Sequence, residues 1–477
     1  MALRPSRPGS WVRRIGDSPH RRMYFVLYIP LGFDIPIMHD CCSCNELVSI
    51  RNRVQMVTDP PDPLAVRELK ALSKKLARAV GHIEPLSGEW ISRYPKRKRQ
   101  RYERAQADLG IRPLGRRDRT VHAFLKAEKV DESGKDPRMI QSRSPRFNLI
   151  FGDYTRALES VLYRLTHSRC RRLPVGGRLI AKGLNQRDRA REILRKWDLF
   201  GCAVSLDLSR FDAHVSKELL LVGHVFYLTA FRNDKLLRQV LSYQLENKCY
   251  SQSWNYNSVG GRMSGDMDTA LGNCLLALLI TVASMEALGF RPDDWSCFVD
   301  GDDILLFASK PPIHGLVEQF KRFGQELKVE GVARTIHEVQ HCWGRPVRTS
   351  LGWTMAGSMR RVVSRTLVGC RHWHDRSFWP KYLGLLGYCE LALSQGVPVL
   401  QEYALMLLRW SGGQLPRKPE AIAEERWHKA SLQVIAGRLP APVPVTAVAR
   451  AHYALAWGVE PDEQRFWESL FRHQPPP

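Results

Sequence analysis

Between residues 200 and 345, short apolar runs alternate with longer apolar stretches, which predicts strands packed against helices. Ala203 to Leu206 predicts a strand that ends in Asp207. The runs Cys297 to Val299 and Ile304 to Phe307 predict two further strands, joined by an Asp-Gly pair that is typical of a tight hairpin. This part of the chain is therefore predicted to combine a hairpin, a third strand and helices.

Longer apolar stretches predict helices. They are Leu219 to Phe231, Thr269 to Leu288, Leu383 to Leu393 and Val399 to Trp410. The run from Leu271 to Leu288 approaches the length of a membrane span, but Asn273 and Glu286 interrupt it. A buried core helix is therefore expected there, and no membrane anchor is expected within these residues. The Pro-rich section from Leu439 to Val445 predicts a loop.

The net charge of the chain indicates which kind of binding partner to expect. A formal net charge of +24 favours a polyanion, with nucleic acid first and an anionic membrane surface second; the alternative is a basic surface with no specific partner. The window Tyr94 to Thr120 holds ten Lys and Arg against three acids, which suits a phosphate backbone or a solvated helix face. The candidate RNA contacts there are Lys96, Arg97, Lys98 and Arg99.

Two further composition signals concern the chain ends and the cysteines. Residues 1–22 carry six arginines among Pro, Ser and Gly, which predicts a flexible basic arm. The eleven cysteines show no regular spacing, which argues against a disulfide framework and for a reducing compartment. The clusters Cys41 to Cys44 and Cys370 to His374 lack the paired spacing of zinc sites, so buried neutral side chains are the expected state.

Candidate chemistry lies in the predicted hairpin, where Asp302 and Asp303 are adjacent carboxylates of the kind that Mg²⁺ prefers. Alone, they are better explained as the solvated tip of an acidic hairpin. Asp207, at the end of a predicted strand, adds a third carboxylate that can face the hairpin. Three carboxylates on neighbouring strands can hold two metal ions about 3.5–4 Å apart.

A glycine-rich segment, Gly260 to Asn273, lies between these two acidic elements. Gly260 and Gly261 would let the backbone approach a nucleic acid closely, although many such loops are ordinary turns. The segment also offers hydroxyl and amide groups suited to sugar recognition, on Ser264, Thr269 and Asn273. The order and spacing of the three elements make the pattern specific.

These segments resemble the RNA-dependent RNA polymerases of positive-strand RNA viruses, most closely the tombusvirus and carmovirus group with its flavivirus-side relatives. The resemblance covers roughly residues 24–410. The matching segments are Phe124 to Arg146 (motif F), Asp207 to Ser216 (A), Gly260 to Asn273 (B), Val299 to Asp303 (C), Glu326 to Glu330 (D) and Val339 to Pro346 (E).

The resemblance implies an α+β right-hand polymerase fold with fingers, a palm of antiparallel sheet plus helices, and a mostly helical thumb. The implied divisions are a flexible basic arm (1–22), fingers (23–200), palm with motif A (201–220), a fingers insertion (221–260), palm with motifs B to E (261–345), and thumb with C-terminal tail (346–477). Asp300 precedes the paired aspartates and either repels its neighbours or caps the turn.

The resemblance also implies roles. Two Mg²⁺ or Mn²⁺ ions would be held by Asp207, Asp302 and Asp303, and Lys328 would protonate the leaving pyrophosphate. The ribose 2′-hydroxyl would be read by Asp212 and Asn273, with Ser264 and Thr269 nearby. Triphosphate charge would be neutralised by Lys126, Lys129, Arg138, Arg143 and Arg146.

The implied function is a viral replicase subunit that copies RNA from ribonucleoside triphosphates by two-metal nucleotidyl transfer, with de novo initiation. A separate membrane-anchoring viral protein would recruit it to membrane-bound complexes in the host cytoplasm. Two alternatives remain. A reverse transcriptase would carry an aromatic residue two positions before the paired aspartates and a bulky side chain where Asp212 stands. An RNA-binding accessory protein would have an inactive polymerase fold and bind RNA through charge alone.

Overall fold

The computed structural model describes residues 2–19, 24–131, 134–370, 372–417, 419, 432 and 438–477 of the chain. Helices and strands are mixed along this described part, which confirms the predicted combination of both. The helical and strand boundaries follow, because they fix which side chains meet at the site.

The helices are α1 (Ser43–Ser49), α2 (Pro63–Val80), α3 (Lys96–Ile111), α4 (Pro145–Leu162), α5 (Gln186–Phe200), α6 (Phe211–His214), α7 (Lys217–Ala230), α8 (Lys235–Ser242), α9 (Thr269–Ala287), α10 (Ile313–Arg322), α11 (Met359–Thr366), α12 (Trp379–Ser394), α13 (Leu400–Ser411), α14 (Ala447–Trp457) and α15 (Pro461–His473). Shorter helical turns span Ile50–Val54, Glu89–Arg93, Arg116–Arg119, Pro292–Asp294, Ile336–Glu338 and Arg376–Phe378.

The strands are β1 (Val12–Arg14), β2 (Phe25–Val26), β3 (Ile37–Met38), β4 (Val121–Leu125), β5 (Lys129–Val130), β6 (Met139–Ser142), β7 (Ala203–Leu208), β8 (Glu246–Tyr250), β9 (Trp254–Val259), β10 (Ser296–Asp300), β11 (Asp303–Phe307), β12 (Leu327–Ala333), β13 (Gly344–Thr349), β14 (Gly352–Gly357) and β15 (Val368–Gly369). The predicted hairpin and third strand are thus confirmed as β10, β11 and β7.

An antiparallel sheet in the order β10-β11-β7-β12 carries the predicted carboxylates. Successive side chains on a strand point to opposite faces, so a strand covered on both faces reads as one apolar run. In β11, Ile304 and Leu306 join the large core around α9, while Leu305 and Phe307 join a second core against α5. This double burial explains the unbroken apolar run and fixes the register of the sheet.

Helix α9 is the centre of the large core, and its residues are buried along most of its length. Within the described part of the chain it is also the one helix long and apolar enough to cross a membrane. Its burial among α2, α4 and α7 confirms the predicted core helix.

A second sheet, in the order β1-β9-β8-β4-β6, lies earlier in the chain and corrects one prediction. Residues 1–22 were predicted to form a flexible arm, yet β1 pairs with β9, with Val12 opposite Tyr256. The Arg7 guanidinium also donates to the Met56 carbonyl at 2.9 Å. The arginines satisfy backbone carbonyls and the strand fills a sheet edge, so the described residues 2–19 are ordered by the fold; residues 1 and 20–22 lie outside it.

Beyond residue 345, a hairpin of β13 and β14 precedes the helices α11 to α15. Helices α12 and α13 pack on each other and confirm the helices predicted from Leu383 and from Val399. Residues 439–445 have no regular structure, as predicted for the Pro-rich loop. This C-terminal part has its own apolar core, separate from the core around α9.

Candidate active site

The register of the four-stranded sheet brings the predicted carboxylates to one edge. Asp303, the first residue of β11, lies directly opposite Asp207 near the end of β7. Asp302 occupies the turn between β10 and β11, and its carbonyl accepts a hydrogen bond from the Leu208 amide at 3.2 Å. Gly301 has a φ of +82°, a conformation that glycine adopts without steric cost. The turn therefore projects Asp302 beside the end of β7.

The electrostatics of this edge show charge without a counter-ion. Burial, together with Asp302 and Glu330, raises the pKa of Asp207 to about 6. Burial and Asp302 also raise the pKa of Asp303, to about 7. Among the described residues, no Lys or Arg forms an ion pair with Asp207, Asp302 or Asp303. A divalent cation would supply the missing positive charge, because hard cations prefer carboxylate oxygens.

The three carboxylates do not yet surround a single point. Asp207 and Asp302 line a cavity, whereas the Asp303 Oδ2 atom accepts a hydrogen bond from the Cys342 Sγ atom at 3.4 Å. Across the described ranges, no three His, Cys, Asp or Glu side chains converge as ligands of one ion. The donor chemistry fits a divalent metal, and a bound ion would draw the carboxylates together.

Asp300 differs from these three acids, and its partners were not predicted. Its buried carboxylate forms ion pairs with Lys182 and with Arg189, which lies in α5. Burial alone would raise the pKa of Asp300, but the two cations outweigh it and hold that pKa far below its ordinary value. Asp300 thus anchors the hairpin to the segment before β7 instead of adding to the charge in the cavity.

The cavity in front of the strand edge has a volume of about 860 Å³ and is lined mainly by polar side chains. It extends from the ends of β7 and β12 to β6 and to the glycine-rich segment. Its size suits a nucleotide or a segment of a nucleic acid.

The predicted ribose-reading residues are brought together at this cavity. The Asn273 Nδ2 atom donates to the Asp212 Oδ1 atom at 2.8 Å, and both residues line the cavity with Ser264 and Thr269. The Ser264 hydroxyl donates to the Met139 carbonyl at 2.6 Å. The Thr269 hydroxyl is bonded to backbone carbonyls of its own loop. Both hydroxyls therefore keep only acceptor capacity for a ligand.

Two of the predicted triphosphate-binding cations, Lys126 and Arg138, also line the cavity. They share one carboxylate, because the Lys126 Nζ atom lies 2.8 Å from Glu128 and the Arg138 Nε atom donates to Glu128 at 2.6 Å. Burial opposes ionisation of Glu128, yet Arg138 and Lys126 lower its pKa to about 2. Both cations are thus held at the cavity wall by Glu128.

The other three predicted cations lie elsewhere, which corrects the prediction for these positions. Lys129 donates to the Arg365 carbonyl at 2.6 Å. The Arg143 guanidinium is buried and bonded to Asp266 at 2.8 Å, and that of Arg146 to Asp118 at 3.0 Å. None of the three lines the cavity as the described residues define it. Arg143 and Arg146 are paired with acids elsewhere in the chain, and Lys129 is bonded to a backbone carbonyl.

Lys328 lies on β12, directly opposite Asp207 in register. Its side chain is 64% exposed, lies 3.8 Å from Glu330 and lines the cavity. A cation at this position is close enough to the carboxylates to lower the pKa of Asp207 in part. The structure therefore places Lys328 at the cavity, on a strand.

The predicted RNA contacts are divided between two places. Gly261 lines the cavity, and Gly260 packs so tightly that an added Cβ atom would lie 2.7 Å from the Lys217 amide nitrogen. The basic run Lys96 to Arg99 begins α3; its first three residues are exposed and Arg99 is half-buried. The Lys98 Nζ atom lies 3.7 Å from the Tyr94 ring centroid. This run is not part of the described cavity lining, so it forms a separate basic surface.

The sheet thus presents Asp207 and Asp302 to a cavity that cations also line, an arrangement suited to binding a divalent metal and a phosphate group. The chain belongs to the viral RNA-dependent RNA polymerase family, whose sequence pattern it matches over residues 17–474. This finding confirms the resemblance seen in the sequence.

Individual relatives agree with the family assignment. The RNA-directed RNA polymerase of Turnip crinkle virus is 29% identical over 495 residues, covering 98% of this chain and 62% of that protein. The RNA-directed RNA polymerase of Carnation mottle virus is 31% identical over 482 residues, covering 96% of this chain and 61% of that protein. The chain thus spans roughly three fifths of the length of these relatives.

Proposed function

We propose that the chain acts as a viral RNA-directed RNA polymerase that copies RNA templates from ribonucleoside triphosphates. The observation that carries this proposal is the register of Asp207 against Asp303, with Asp302 at the mouth of the cavity. Carboxylates without counter-ions facing a nucleotide-sized cavity are what metal-assisted phosphoryl transfer requires.

Asp207, Asp302 and Asp303 would hold two Mg²⁺ or Mn²⁺ ions. When bound, such ions neutralise charge on the phosphates and acidify the attacking hydroxyl. The chain supplies the rigid frame for this chemistry, because the sheet fixes the backbone of Asp207 and Asp303 on adjacent strands. Asp300, tied to Lys182 and Arg189, keeps the turn in place.

Lys126 and Arg138 would bind the triphosphate of the incoming nucleotide. Each is held at the cavity wall by Glu128, and the ion pair with Glu128 raises the pKa of Arg138, with Asp302 and Asp212 acting in the same direction. Lys328 is the neighbour of Asp207 across strands β12 and β7, and it would donate a proton to the leaving pyrophosphate. Fixed cations of this kind stabilise charge that develops during phosphoryl transfer.

Asp212 and Asn273 would recognise the ribose 2′-hydroxyl, with Ser264 and Thr269 as acceptors in the same cavity wall. Their polar atoms are paired with each other and aimed at the cavity. A 2′-hydroxyl can donate to the remaining acceptor capacity of Asp212 and of the two hydroxyls, a contact that a deoxyribose cannot make. This arrangement favours ribonucleotides over deoxyribonucleotides and argues against a reverse transcriptase.

In this proposal the fold is a right hand. Residues 23–200 and 221–260 with the five-stranded sheet form the fingers, residues 201–220 and 261–345 form the palm, and residues 346–477 form the thumb and C-terminal tail. Gly260 and Gly261 would approach the RNA backbone, and the basic run Lys96 to Arg99 would bind its phosphates.

The decisive experiment incubates the purified chain with an RNA template, the four ribonucleotides and Mg²⁺. We expect complementary RNA to be made, and we expect Asp302→Asn to abolish synthesis. A template with a blocked 3′ end tests de novo initiation at the same time, because extension of its own end is then impossible. Salt-dependent RNA binding without any nucleotide incorporation would instead identify an inactive polymerase fold.

A further inference from the structure

Arg262 is a buried cation in the glycine-rich segment, and it contacts the proposed ribose-recognising pair, Asp212 and Asn273, through Asn273. Its Nε atom donates to the Asn273 Oδ1 atom at 3.2 Å. Its Nη1 atom donates to the Asp268 carboxylate at 2.5 Å, and the two side chains are almost fully buried, with 2% and 0% exposure. Arg262 therefore bridges a buried acid and the amide of Asn273.

This bridge fixes which way the Asn273 amide points. A guanidinium only donates hydrogen bonds, so the atom of Asn273 that faces Arg262 must be the oxygen. The amide nitrogen then faces Asp212 and donates to its Oδ1 atom at 2.8 Å. With the opposite orientation, the amide oxygen would face a carboxylate oxygen and repel it. Arg262 thus determines the hydrogen-bonding pattern that the Asp212–Asn273 pair presents to the cavity.

Gly272 leaves the space that the Arg262 guanidinium occupies. It lies in α9 without a positive φ, so its helical conformation does not require glycine. A Cβ atom at this position would lie 2.5 Å from the Arg262 Nη2 atom and 2.8 Å from its Cζ atom. The absence of a side chain at Gly272 is therefore a condition for the position of Arg262.

We propose that Arg262, seated on Gly272 and paired with Asp268, is a positioning residue that sets the preference for ribonucleotides over deoxyribonucleotides. The inference rests on the proposed polymerase function and deepens it, because it assigns sugar selection to a residue whose side chain is 2% exposed and is bonded to Asn273. The Asp212–Asn273 pair makes the contact, and Arg262 orients it.

The first test is Gly272→Ala. The added methyl group displaces the Arg262 guanidinium, but the substitution removes no polar group from the protein and alanine suits a helix. We measure kcat/KM for a single incorporation of ATP and of 2′-deoxy-ATP opposite the same template base. The ratio of kcat/KM for ATP to kcat/KM for 2′-deoxy-ATP is expected to fall on the order of tenfold. This is the effect of losing one hydrogen bond in a buried site. A purely structural defect would lower both constants and leave their ratio unchanged.

The matched control is Gly223→Ala. Gly223 also lies within a helix, α7, but nothing lies within 4 Å of an added Cβ atom there. Its ratio is expected to equal that of the wild-type chain.

Arg262→Lys provides a second, independent variant. A lysine keeps a positive charge beside Asp268, but its single ammonium lacks the fixed second donor that reaches Asn273. The same fall in the ratio is expected. If the wild-type chain extends RNA and the folded variants keep its ratio, the role of Arg262 is overturned while the polymerase function stands. If the wild-type chain incorporates no nucleotide, the polymerase function itself is overturned.

Discussion

The cavity edge of the four-stranded sheet and the interior behind the glycine-rich segment both concentrate charged side chains, but they treat charge in opposite ways. At the edge, Asp207 and Asp302 face the cavity with no ion pair to a described Lys or Arg. In the interior, Asp266 is paired with Arg143, and Asp268 with Arg262. The interior acids are also bonded to Gln244, at 3.0 and 2.9 Å.

The acids at the edge have charge available for a ligand, whereas the charge of the interior acids is neutralised by ion pairs that stabilise the fold. A buried acid that is fully paired fixes the geometry around it and has no capacity left for a metal ion or a nucleotide. Carboxylates forced together by sheet register repel each other until a cation arrives. In the proposed function, the same residue type would bind a ligand at the edge and hold neighbouring side chains in position in the interior.

The largest expected effect is loss of activity at the cavity edge. Asp302→Asn removes one negative charge from the proposed metal site and is expected to lower RNA synthesis about a thousandfold or more, measured as nucleotide incorporation. The free energy of unfolding should stay the same or rise, because repulsion with Asp207 and Asp303 is relieved.

Asp293→Asn is the matched control for that change. Asp293 is an exposed acid in the turn before β10, so its loss should leave both activity and stability unaltered. An Asp302→Asn protein with at least a tenth of wild-type incorporation would show that the edge acids are not the metal ligands.

A substitution in the interior should lower the free energy of unfolding. Asp268→Ala removes the acid that pairs with Arg262 and accepts from Tyr227 at 3.2 Å, which leaves a buried cation without its partner. The free energy of unfolding is expected to fall by about 3–5 kcal/mol, measured by denaturant titration. If Asp268→Ala unfolds at the wild-type denaturant concentration, the interior pairs are not what holds the loop in place.

Adding a divalent metal sharpens the contrast, because, of these two regions, it is the edge whose acids have no ion pair with a described Lys or Arg. Mg²⁺ or Mn²⁺ at about a hundred times its dissociation constant should stabilise the wild-type chain by about 2.7 kcal/mol, seen as a higher midpoint of thermal unfolding. Chelation should reverse the shift, and Asp207→Asn should remove most of it. A full shift in that variant would place the metal at another site.

The strand edge was largely predictable from the sequence, because its signals are local. The strand from Ala203 and the helix from Thr269 begin where the apolar pattern predicts. The Asp-Gly turn predicts the hairpin, and a hairpin plus one more strand is enough to bring Asp207 beside Asp303.

The pairing of the buried cations was largely not predictable. Arg262 and Asp268 are only 6 residues apart, but the other pairs join residues that are remote along the chain. Arg143 is 123 residues from Asp266, and Arg189 is 111 residues from Asp300. A single sequence shows a run of cations but not which of them finds a buried acid. Arg143 and Arg146 were therefore predicted to bind phosphate, although their guanidinium groups are consumed within the fold.

The smallest expected effect concerns the cations, and it extends the comparison from acids to bases. Arg138 lies at the cavity wall with its side chain 45% exposed, whereas that of Arg143 is fully buried. Arg138→Gln should raise the KM for nucleotides about tenfold, the size of one lost phosphate contact, with little change in the unfolding midpoint. Arg143→Gln should instead lower the unfolding midpoint. The KM for nucleotides of the protein that remains folded should be unchanged. Equal KM values for Arg138→Gln and the wild-type chain would mean that Arg138 does not bind the triphosphate.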